Sequence, residues 1–292
     1  MYYFIHNPVA GNGYSIRVMK SLEEHMQVNA ISYIVEHTQY PGHATKLAQE
    51  AYQKGYRRII SVGGDGTIIE TANGIIGTDA TLGIIPGGTG NDFIRALKIP
   101  SSPIEALQVI KNNYLRKVDV GIINDRYFLN IAGTGFDAEV VSQTAKLKRL
   151  FIGKLSYLLS VFIVLIRFTL KEICIEIDGT EMKRKILLIA IANGNYFGGG
   201  MMVAPHAQVD DGYLDVCIAS NLPKWKVPLL LPKFISGKHL AEPCIEYIKA
   251  KTITVTSIHP LPLNVDGELY GTTPFTCHLS PYKLNIIAPA PI

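Results

Sequence analysis

Two glycine-rich stretches place a carboxylate beside several backbone amides. Residues 63–67 (Gly-Gly-Asp-Gly-Thr) follow an apolar run, and residues 86–93 (Pro-Gly-Gly-Thr-Gly-Asn-Asp-Phe) follow another. Glycine permits a tight turn whose N–H groups converge, and a following helix N-terminus adds positive potential. Such a turn holds phosphate without a lysine. Both stretches therefore predict phosphate binding, as a nucleotide-dependent kinase requires. Asp65 would be able to hold a metal ion or to accept a hydroxyl proton.

The segments around these turns alternate between strand and helix patterns. Thr67 is predicted to cap the helix that follows the first turn. Four strands alternating with helices predict a parallel, doubly wound α/β sheet, in which ligands bind at the carboxyl ends of the strands. The two glycine turns are therefore expected to be neighbours. The predicted strands are 1–7, 31–36, 58–62 and 81–85, and the predicted helices are 14–27, 43–53, 68–73 and 104–111.

The second half of the chain has a different pattern, with short alternating strands and hairpin turns. It predicts an all-β domain, a two-sheet sandwich or roll. A strand over 115–123 contains Asp119 and ends near the predicted boundary. The predicted domains are 1–123, completed by a C-terminal strand within 283–292, and 124–282. The stretch 133–138 (Gly-Thr-Gly-Phe-Asp-Ala) fits a dinucleotide fingerprint but lacks the acid about 20 residues on, so we interpret it as a structural turn.

Composition excludes several classes of protein. The chain has 292 residues, 48% hydrophobic and 18% charged, with a net charge of +4, which is typical of a globular protein. The chain has no basic block with interleaved aromatic residues of the kind that indicates nucleic-acid binding. Four separated cysteines and no signal peptide predict reduced thiols in a cytoplasmic protein. The apolar stretch 150–170 is interrupted by Lys154 and Arg167, so a buried or surface-docking helix is expected there.

Several motifs in order resemble one family. Residues 7–11 (Asn-Pro-Val-Ala-Gly), 63–67 and 86–93 resemble the diacylglycerol kinase catalytic domain. Four stretches in the second half are similar to the second domain of the soluble bacterial lipid kinases of that family, which also includes sphingosine and ceramide kinases. Those stretches are 193–200 (Asn-Gly-Asn-Tyr-Phe-Gly-Gly-Gly), 204–205 (Ala-Pro), 210–216 (Asp-Asp-Gly-Tyr-Leu-Asp-Val) and 265–268 (Val-Asp-Gly-Glu).

The resemblance implies an N-terminal domain that binds ATP, a C-terminal domain that receives the lipid, a cleft between them, and Mg²⁺. It implies that Glu268 accepts the proton of the lipid hydroxyl while Asp65 organises a metal and water network joined by Asp92 and Asp119. It also implies a structural magnesium at Asp211, with main-chain oxygens of Gln208 and Tyr213. The residues expected to bind the nucleotide and its metal are Asn7, Pro8, Val9, Ala10, Gly11, Thr38, Gly63, Gly64, Asp65, Gly66, Thr67, Thr89, Asn91, Asp92 and Asp119.

Two positions depart from the family pattern. Ile69 stands where the family usually has Asn, and Gly87 stands where it usually has Leu. Diacylglycerol, giving phosphatidic acid, is the first choice of substrate. A sphingoid base, ceramide or phosphatidylglycerol are alternatives, as are an NAD kinase and a non-catalytic lipid-binding regulator.

The segment 225–239, with the residue before it, alternates apolar residues with lysines. It is interpreted either as a solvated helix face or as a segment drawn to an anionic lipid surface, where each lysine adds about 1 kcal/mol. The lipid substrate implies peripheral contact with a membrane, and a homodimer is compatible with the sequence. The lysines concerned are Lys224, Lys226, Lys233 and Lys238.

Overall fold

A computed structural model describes residues 1–147 and 154–290, which form two compact units. One unit comprises Met1–Val120 and the segment that begins at Pro281, and the other comprises Gly121–Ser280. The helices of the described residues are α1 (Tyr14–Val28), α2 (His43–Gln53), α3 (Asp65–Asn73), α4 (Asp92–Ala96), α5 (Pro103–Asn112), α6 (Phe136–Leu147), α7 (Lys154–Arg167) and α8 (Val227–Ser236).

The same residues form nineteen strands, most of them in two large sheets. The strands are β1 (Tyr2–His6), β2 (Tyr33–His37), β3 (Arg58–Gly63), β4 (Thr81–Pro86), β5 (Leu115–Val118), β6 (Gly121–Ile123), β7 (Arg126–Phe128), β8 (Ile131–Gly135), β9 (Lys171–Ile177), β10 (Thr180–Ala192), β11 (Tyr196–Phe197), β12 (Met201–Met202), β13 (Leu214–Ser220), β14 (Ile245–Ala250), β15 (Thr252–Ser257), β16 (Pro262–Val265), β17 (Glu268–Thr272), β18 (Phe275–Leu279) and β19 (Leu284–Ile287).

The first unit is built on a six-stranded sheet in the order β2-β1-β3-β4-β19-β5. The first four strands are mutually parallel, β19 joins β4 in parallel, and β5 is antiparallel at the edge. Every position of β4 is buried, as expected for a central strand covered on both faces. The predicted parallel α/β sheet is confirmed, and it brings the carboxyl ends of β1 to β4 to one edge.

Helix α1 shows how packing selects a face. Met19, Leu22 and Met26 are buried as their helical spacing predicts, together with Val18. Ile16, which the same spacing placed on the buried face, is instead 55% exposed. Ile16 therefore lies off the buried face, although its neighbour Ser15 in the same turn is buried.

The predicted strand 115–123 is two strands in two different sheets. β5 pairs with β19 in the first unit, whereas β6 pairs with β18 and β7 in the second. Asp119 and Val120 lie between the two strands, and both are buried. The chain thus leaves the first sheet immediately after Val118, and β19 returns to that sheet near the C-terminus.

The second unit is an antiparallel β domain. Its main sheet follows the path β17-β16-β8-β10-β9-β15-β18-β6-β7, with β13 joining β10 and β14 joining β13. The long strand β10 changes partners along its length: 180–186 pairs with β9, and 188–192 pairs with both β8 and β13. One apolar cluster is built mainly from the alternating inward residues of these strands, and a second packs β8, β10 and β13 against α6, α7 and α8. The predicted α/β unit and β-sheet unit are confirmed, and the second unit carries the helices α6, α7 and α8 in addition to its strands.

The apolar stretch 150–170 contains α7. Residues 150–153 lie outside the described part of the chain. Among the residues that the structure describes, none of the helices is long and apolar enough to span a bilayer.

Candidate functional site

The two glycine loops touch each other at the carboxyl edge of the first sheet. The N–H of Gly87 donates to the carbonyl of Gly63 over 2.7 Å. A Cβ on Gly88 would lie 2.3 Å from the Cα of Gly64, so the loops approach more closely than side chains allow. The predicted neighbourhood of the loops is therefore observed, and glycine is required at their contact.

At two further positions, neighbouring atoms leave no room for a side chain, so glycine is required there. A Cβ on Gly63 would lie 2.5 Å from the Oγ1 of Thr67. Gly11 has a φ of +60°, and a Cβ there would lie 2.5 Å from the carbonyl oxygen of Gly87. The turn after β1 is thus packed directly on the second glycine loop.

Asp65 and Asp92 flank the same glycine. Their Oδ2 atoms lie 3.0 and 3.7 Å from the point where a Gly90 Cβ would be. The other carboxylate oxygen of Asp65 accepts a hydrogen bond from the N–H of Phe93 over 3.0 Å, which ties the first loop to the start of α4. Asp92 is buried and its carboxylate lies 3.9 Å from the Nε of Arg95. Two carboxylates therefore face one small region beside the glycine amides.

The prediction that Thr67 caps α3 is wrong. The helix begins two residues earlier, at Asp65, and Gly64 is its extended N-cap. Thr67 is buried in the first turn, where its Oγ1 accepts from the Nδ2 of Asn7 over 3.0 Å. Its side chain thus joins the turn after β1 to the first glycine loop.

The turn after β1 carries its own hydrogen bonds. The Oδ1 of Asn7 accepts from the N–H of Val9 over 3.2 Å, and its main-chain carbonyl accepts from the N–H of Ala10. Pro8 lies in this turn, and the N–H of Thr38, after β2, donates to the carbonyl of His6. The structure thus brings together the carboxyl ends of β1 and β2.

Three other predicted residues occupy different settings. Thr89 is exposed at the tip of the second loop, and Asn91 has a φ of +52° and donates to the carbonyl of Gly88 over 3.0 Å. Asp119 is buried, and the Nζ of Lys283 lies 2.8 Å from its Oδ1. Among the described residues, no cluster of three or more acidic, histidine or cysteine side chains has the geometry of a metal site.

The sequence reasoning missed a histidine pair at this edge. The Nδ1 atoms of His6 and His37 are 2.9 Å apart because the parallel register places these residues opposite each other at the ends of β1 and β2. Burial, then the neighbouring His37, lowers the pKa of His6 to about 4. The pair could have been predicted, because two neighbouring parallel strands each end in a histidine.

Glu268 begins β17 in the second unit, immediately after a two-residue turn. Its carboxylate is half exposed and forms an ion pair with the guanidinium of Arg126, which also lies 4.8 Å from the ring centroid of Tyr270. The partner of Glu268 was not predicted, because Arg126 is 142 positions away in sequence.

The turn at 208–213 holds a carboxylate that already has a cation beside it. The Oδ1 of Asp211 accepts from the N–H of Tyr213 over 3.0 Å, and its Oδ2 is ion-paired with Lys249. Asp211 and the main-chain oxygens of Gln208 and Tyr213 are ligand types that suit Mg²⁺. A metal ion bound by this carboxylate would have to compete with Lys249.

Comparisons with known proteins match both units. Residues 1–123 match the diacylglycerol kinase catalytic domain, and residues 130–288 match the YegS C-terminal NAD kinase beta sandwich-like domain. A diacylglycerol kinase of Staphylococcus carnosus is 34% identical over 272 residues, 92% of this chain and 89% of that protein. A diacylglycerol kinase of Staphylococcus aureus is 32% identical over 287 residues, covering 98% and 91%.

Solved structures give the same result. A crystal structure of a diacylglycerol kinase from Bacillus anthracis superposes with a TM-score of 0.74 at 27% identity, covering 99% of this chain and 96% of that one. A second structure from the same organism gives a TM-score of 0.82 at 28% identity, covering 99% and 95%.

The fold, the glycine loops and these matches define a phosphotransferase that transfers phosphate to a hydroxyl group. The chain belongs to the diacylglycerol kinase family of lipid kinases, and the family implies ATP as the phosphate donor.

Proposed function

We propose that this enzyme uses ATP and Mg²⁺ to phosphorylate diacylglycerol, forming phosphatidic acid. The observation that carries the nucleotide part is the contact between the two glycine loops, with Asp65 and Asp92 on the same side. The choice of diacylglycerol is supported by relatives at 32 to 34% identity that bear this name.

The nucleotide is proposed to bind at the carboxyl edge of the first sheet. Main-chain N–H groups of the two glycine loops and of 7–11 would hold the phosphates, as amides at helix N-termini do. Thr38 and Thr89, at loop positions along this edge, would add hydroxyl contacts. Asn91 would keep the second loop in shape through its bond to Gly88.

Magnesium fits the donors beside the glycine loops. Asp65 and Asp92 present carboxylate oxygens within 4 Å of one point, and hard oxygen ligands suit this ion. Asp119 is proposed to support the network from a buried position held by Lys283. When bound, the ion would neutralise the charge of the transferred phosphate.

Glu268 is proposed as the general base. As the lipid oxygen forms its bond to the γ-phosphorus, the bond to the β–γ bridging oxygen breaks and ADP leaves. The hydroxyl proton moves to the Glu268 carboxylate. The half-exposed position of that side chain gives a substrate hydroxyl access to it, and Arg126 holds it in its present direction.

A second magnesium is proposed at Asp211, Gln208 and Tyr213. Its role would be structural, because the turn connects to β13 rather than to the glycine loops. Competition with Lys249 sets how readily the ion binds.

Membrane contact is proposed at α8 and the residues that precede it. Trp225 is 66% exposed and Leu229 is 62% exposed, and Leu231 and Ile235 are also exposed. No acidic residue lies between Asp215 and Glu242, whereas four lysines do, one of which, Lys233, forms an ion pair with Glu242. An exposed apolar surface with a one-sided charge is suited to an anionic lipid surface.

The membrane proposal is tested by sedimentation with phosphatidylglycerol vesicles. Charge reversal of Lys224 and Lys226 is expected to weaken binding at least about thirtyfold, because each lysine adds about 1 kcal/mol near such a surface and both contributions are lost. Charge reversal of Lys54 and Lys111, exposed in the first unit, is the matched control. Equal binding of all three proteins would dismiss the surface. The proposed homodimer is tested separately by sedimentation velocity of the free protein.

The catalytic proposal is tested with γ-labelled ATP and separate acceptors. Diacylglycerol micelles are expected to yield labelled phosphatidic acid, whereas sphingoid base, phosphatidylglycerol and NAD remain unlabelled. Glu268→Gln and Asp65→Ala are each expected to reduce transfer at least a hundredfold with the melting temperature within a few degrees of wild type. Label in another acceptor would reassign the substrate, and no label in any acceptor would favour a non-catalytic lipid binder.

A further inference from the structure

The turn that precedes Glu268 sets the direction of its main chain, while Arg126 holds its carboxylate. Asp266 and Gly267 form the two-residue loop between β16 and β17, with φ values of +48° and +86°. Val265 pairs directly with Glu268 across this loop. Two successive left-handed residues are typical of a tight hairpin turn, so a shift of either residue moves Glu268 with it.

One side of the turn is anchored by Asp266. Its Oδ2 accepts from the N–H of Leu129 over 2.9 Å, and its Oδ1 accepts from the N–H groups of Asn130 and Ile131 over 3.0 Å each. Hydrogen bonds to a charged acceptor are stronger than those between neutral groups. These hydrogen bonds hold the side chain of Asp266, but they do not involve the N–H of the next residue, Gly267.

The other side of the turn is held by Asn264. Its Oδ1 accepts from the N–H of Gly267 over 3.1 Å, and its Nδ2 donates to the Oδ2 of Asp137 over 3.1 Å. The N–H of Gly267 fixes which end of the amide is oxygen, so the NH₂ end must face an acceptor. Asp137 supplies that acceptor from the first turn of α6. Asn264 and Asp137 are 4% and 7% exposed.

A carboxylate is a costly choice at the position of Asp137. Burial raises the pKa of Asp137 to about 6, against the stabilising effects of Asn264 and of the main-chain N–H groups of Ala138 and of Asp137 itself. Burial of a charged group that has few partners is seldom the most stable solution, and apolar residues often do as well there. Among the residues that the structure describes, the one side chain that donates a hydrogen bond to Asp137 is that of Asn264, so the geometry links this buried carboxylate to the Asn264 amide.

We propose that Asp137 is a positioning residue, which orients the Asn264 amide so that Asn264 holds the N–H of Gly267 and thereby directs Glu268. The proposal rests on the proposed role of Glu268 as the base. This role would also explain Asp137 within the stretch 133–138, since no residue of that stretch belongs to the proposed nucleotide site. Asp137 itself need not touch the substrate.

The test uses variants that keep or remove the acceptor. Asp137→Leu keeps the branched shape of the side chain and has no acceptor, and Asn264→Ala removes the amide itself without altering α6. Both are expected to lower kcat at least tenfold with the KM for ATP unchanged. Asp137→Asn keeps an acceptor and is expected to retain most of kcat.

A charge exchange sharpens the test. Asn264→Asp alone brings two buried carboxylates together and is expected to lose activity. In the double variant Asp137→Asn with Asn264→Asp, the new amide donates to the new carboxylate, which still accepts from Gly267. Activity is therefore expected to return.

Hydrogen exchange of the Gly267 amide gives a readout that does not depend on catalysis. With ¹⁵N-glycine labelling, Asp137→Leu and Asn264→Ala are expected to speed its exchange at least tenfold, and the exchanged pair to restore protection. Thr134→Val is the matched control, because Thr134 is equally buried on β8 and donates to the carbonyl of Pro262, at the opposite end of β16. It is expected to leave both kcat and Gly267 unchanged.

The outcomes separate this proposal from the catalytic one. Unchanged Gly267 exchange in Asp137→Leu overturns the positioning role, whatever Glu268 does. Loss of kcat in Thr134→Val equal to that in Asp137→Leu also overturns it, since lost stability would then explain both. A fully active Glu268→Gln refutes the base, while the exchange data still decide whether Asp137 holds the turn.

Discussion

A methyl group on Gly88 is expected to force the two glycine loops apart. Its carbon would lie 2.3 Å from the Cα of Gly64, 3.0 Å from the nitrogen of Gly64, and 2.9 Å from the Oδ1 of Asn91. Non-bonded carbon atoms rest at about 3.5 Å or more, so the loops must separate by roughly 1.2 Å. Most of the clash is with main chain, which has no rotamer to yield. Overpacking of this kind costs about 1 to 3 kcal/mol of unfolding free energy.

The same separation is expected to weaken nucleotide binding. If amides of both loops hold the phosphates, an opening of this size breaks at least one charge-assisted hydrogen bond, worth about 1.5 to 3 kcal/mol. The Kd for ATP with Mg²⁺ should therefore rise at least tenfold in Gly88→Ala, as measured by titration calorimetry. Urea unfolding measures the loss of stability in parallel.

Gly66→Ala is the control for stability. A Cβ on Gly66 has open space around it, and the residue lies in α3, where alanine is favoured over glycine by about 0.5 to 1 kcal/mol. This variant should be as stable as wild type or more so. A Gly88→Ala protein with wild-type stability and wild-type ATP affinity would refute the close contact of the loops.

Two further predictions concern charged and titratable groups away from the loops. Lys249→Met removes the cation paired with Asp211, so the Mg²⁺ concentration needed to raise the melting temperature should fall up to about fivefold, in line with an exposed pair worth about 1 kcal/mol or less. Lys251→Met, which removes a cation near Tyr213, is the control. Identical Mg²⁺ titrations of the two variants would argue against a metal at Asp211. His6 takes up a proton at about pH 4 when folded and at its ordinary 6.5 when unfolded, so its contribution to stability is lost as pH falls from 6.5 towards 4. Between pH 7 and 4.5 the wild type should therefore lose about 2 kcal/mol more unfolding free energy than His6→Phe in urea titrations, and equal losses would contradict the buried neutral histidine.

The architecture was accessible from the sequence because its signals are local. Apolar runs of strand length, helical spacing and glycine turns predicted the parallel sheet, and α2 has the predicted bounds at His43 and Gln53. The neighbouring glycine loops followed from one topological rule about the ends of parallel strands. The family motifs strengthened this prediction, and the comparisons confirm the family.

The errors arose where a residue far away in sequence decides the local structure. The predicted strand 115–123 divides because β5 is recruited by β19, almost 170 residues later, and β6 by β18. Thr67 is a residue type that often caps helices, but its hydroxyl instead accepts a hydrogen bond from Asn7, in the turn after β1.

Partners of the candidate functional residues were equally hidden. Lys283 beside Asp119, Arg126 beside Glu268 and Lys249 beside Asp211 are all long-range pairs. A sequence motif identifies the carboxylate but carries no signal for the cation that faces it. Ile69, a departure from the family pattern, is buried in α3 and so serves the core.

A crystal structure with a non-hydrolysable ATP analogue and Mg²⁺ tests the central claim most directly. We expect β- and γ-phosphate oxygens within hydrogen-bond distance of main-chain N–H groups in 63–67 and 87–89, with the metal ion beside Asp65 and Asp92. Phosphates bound elsewhere, with these amides turned away from the anion, would contradict it.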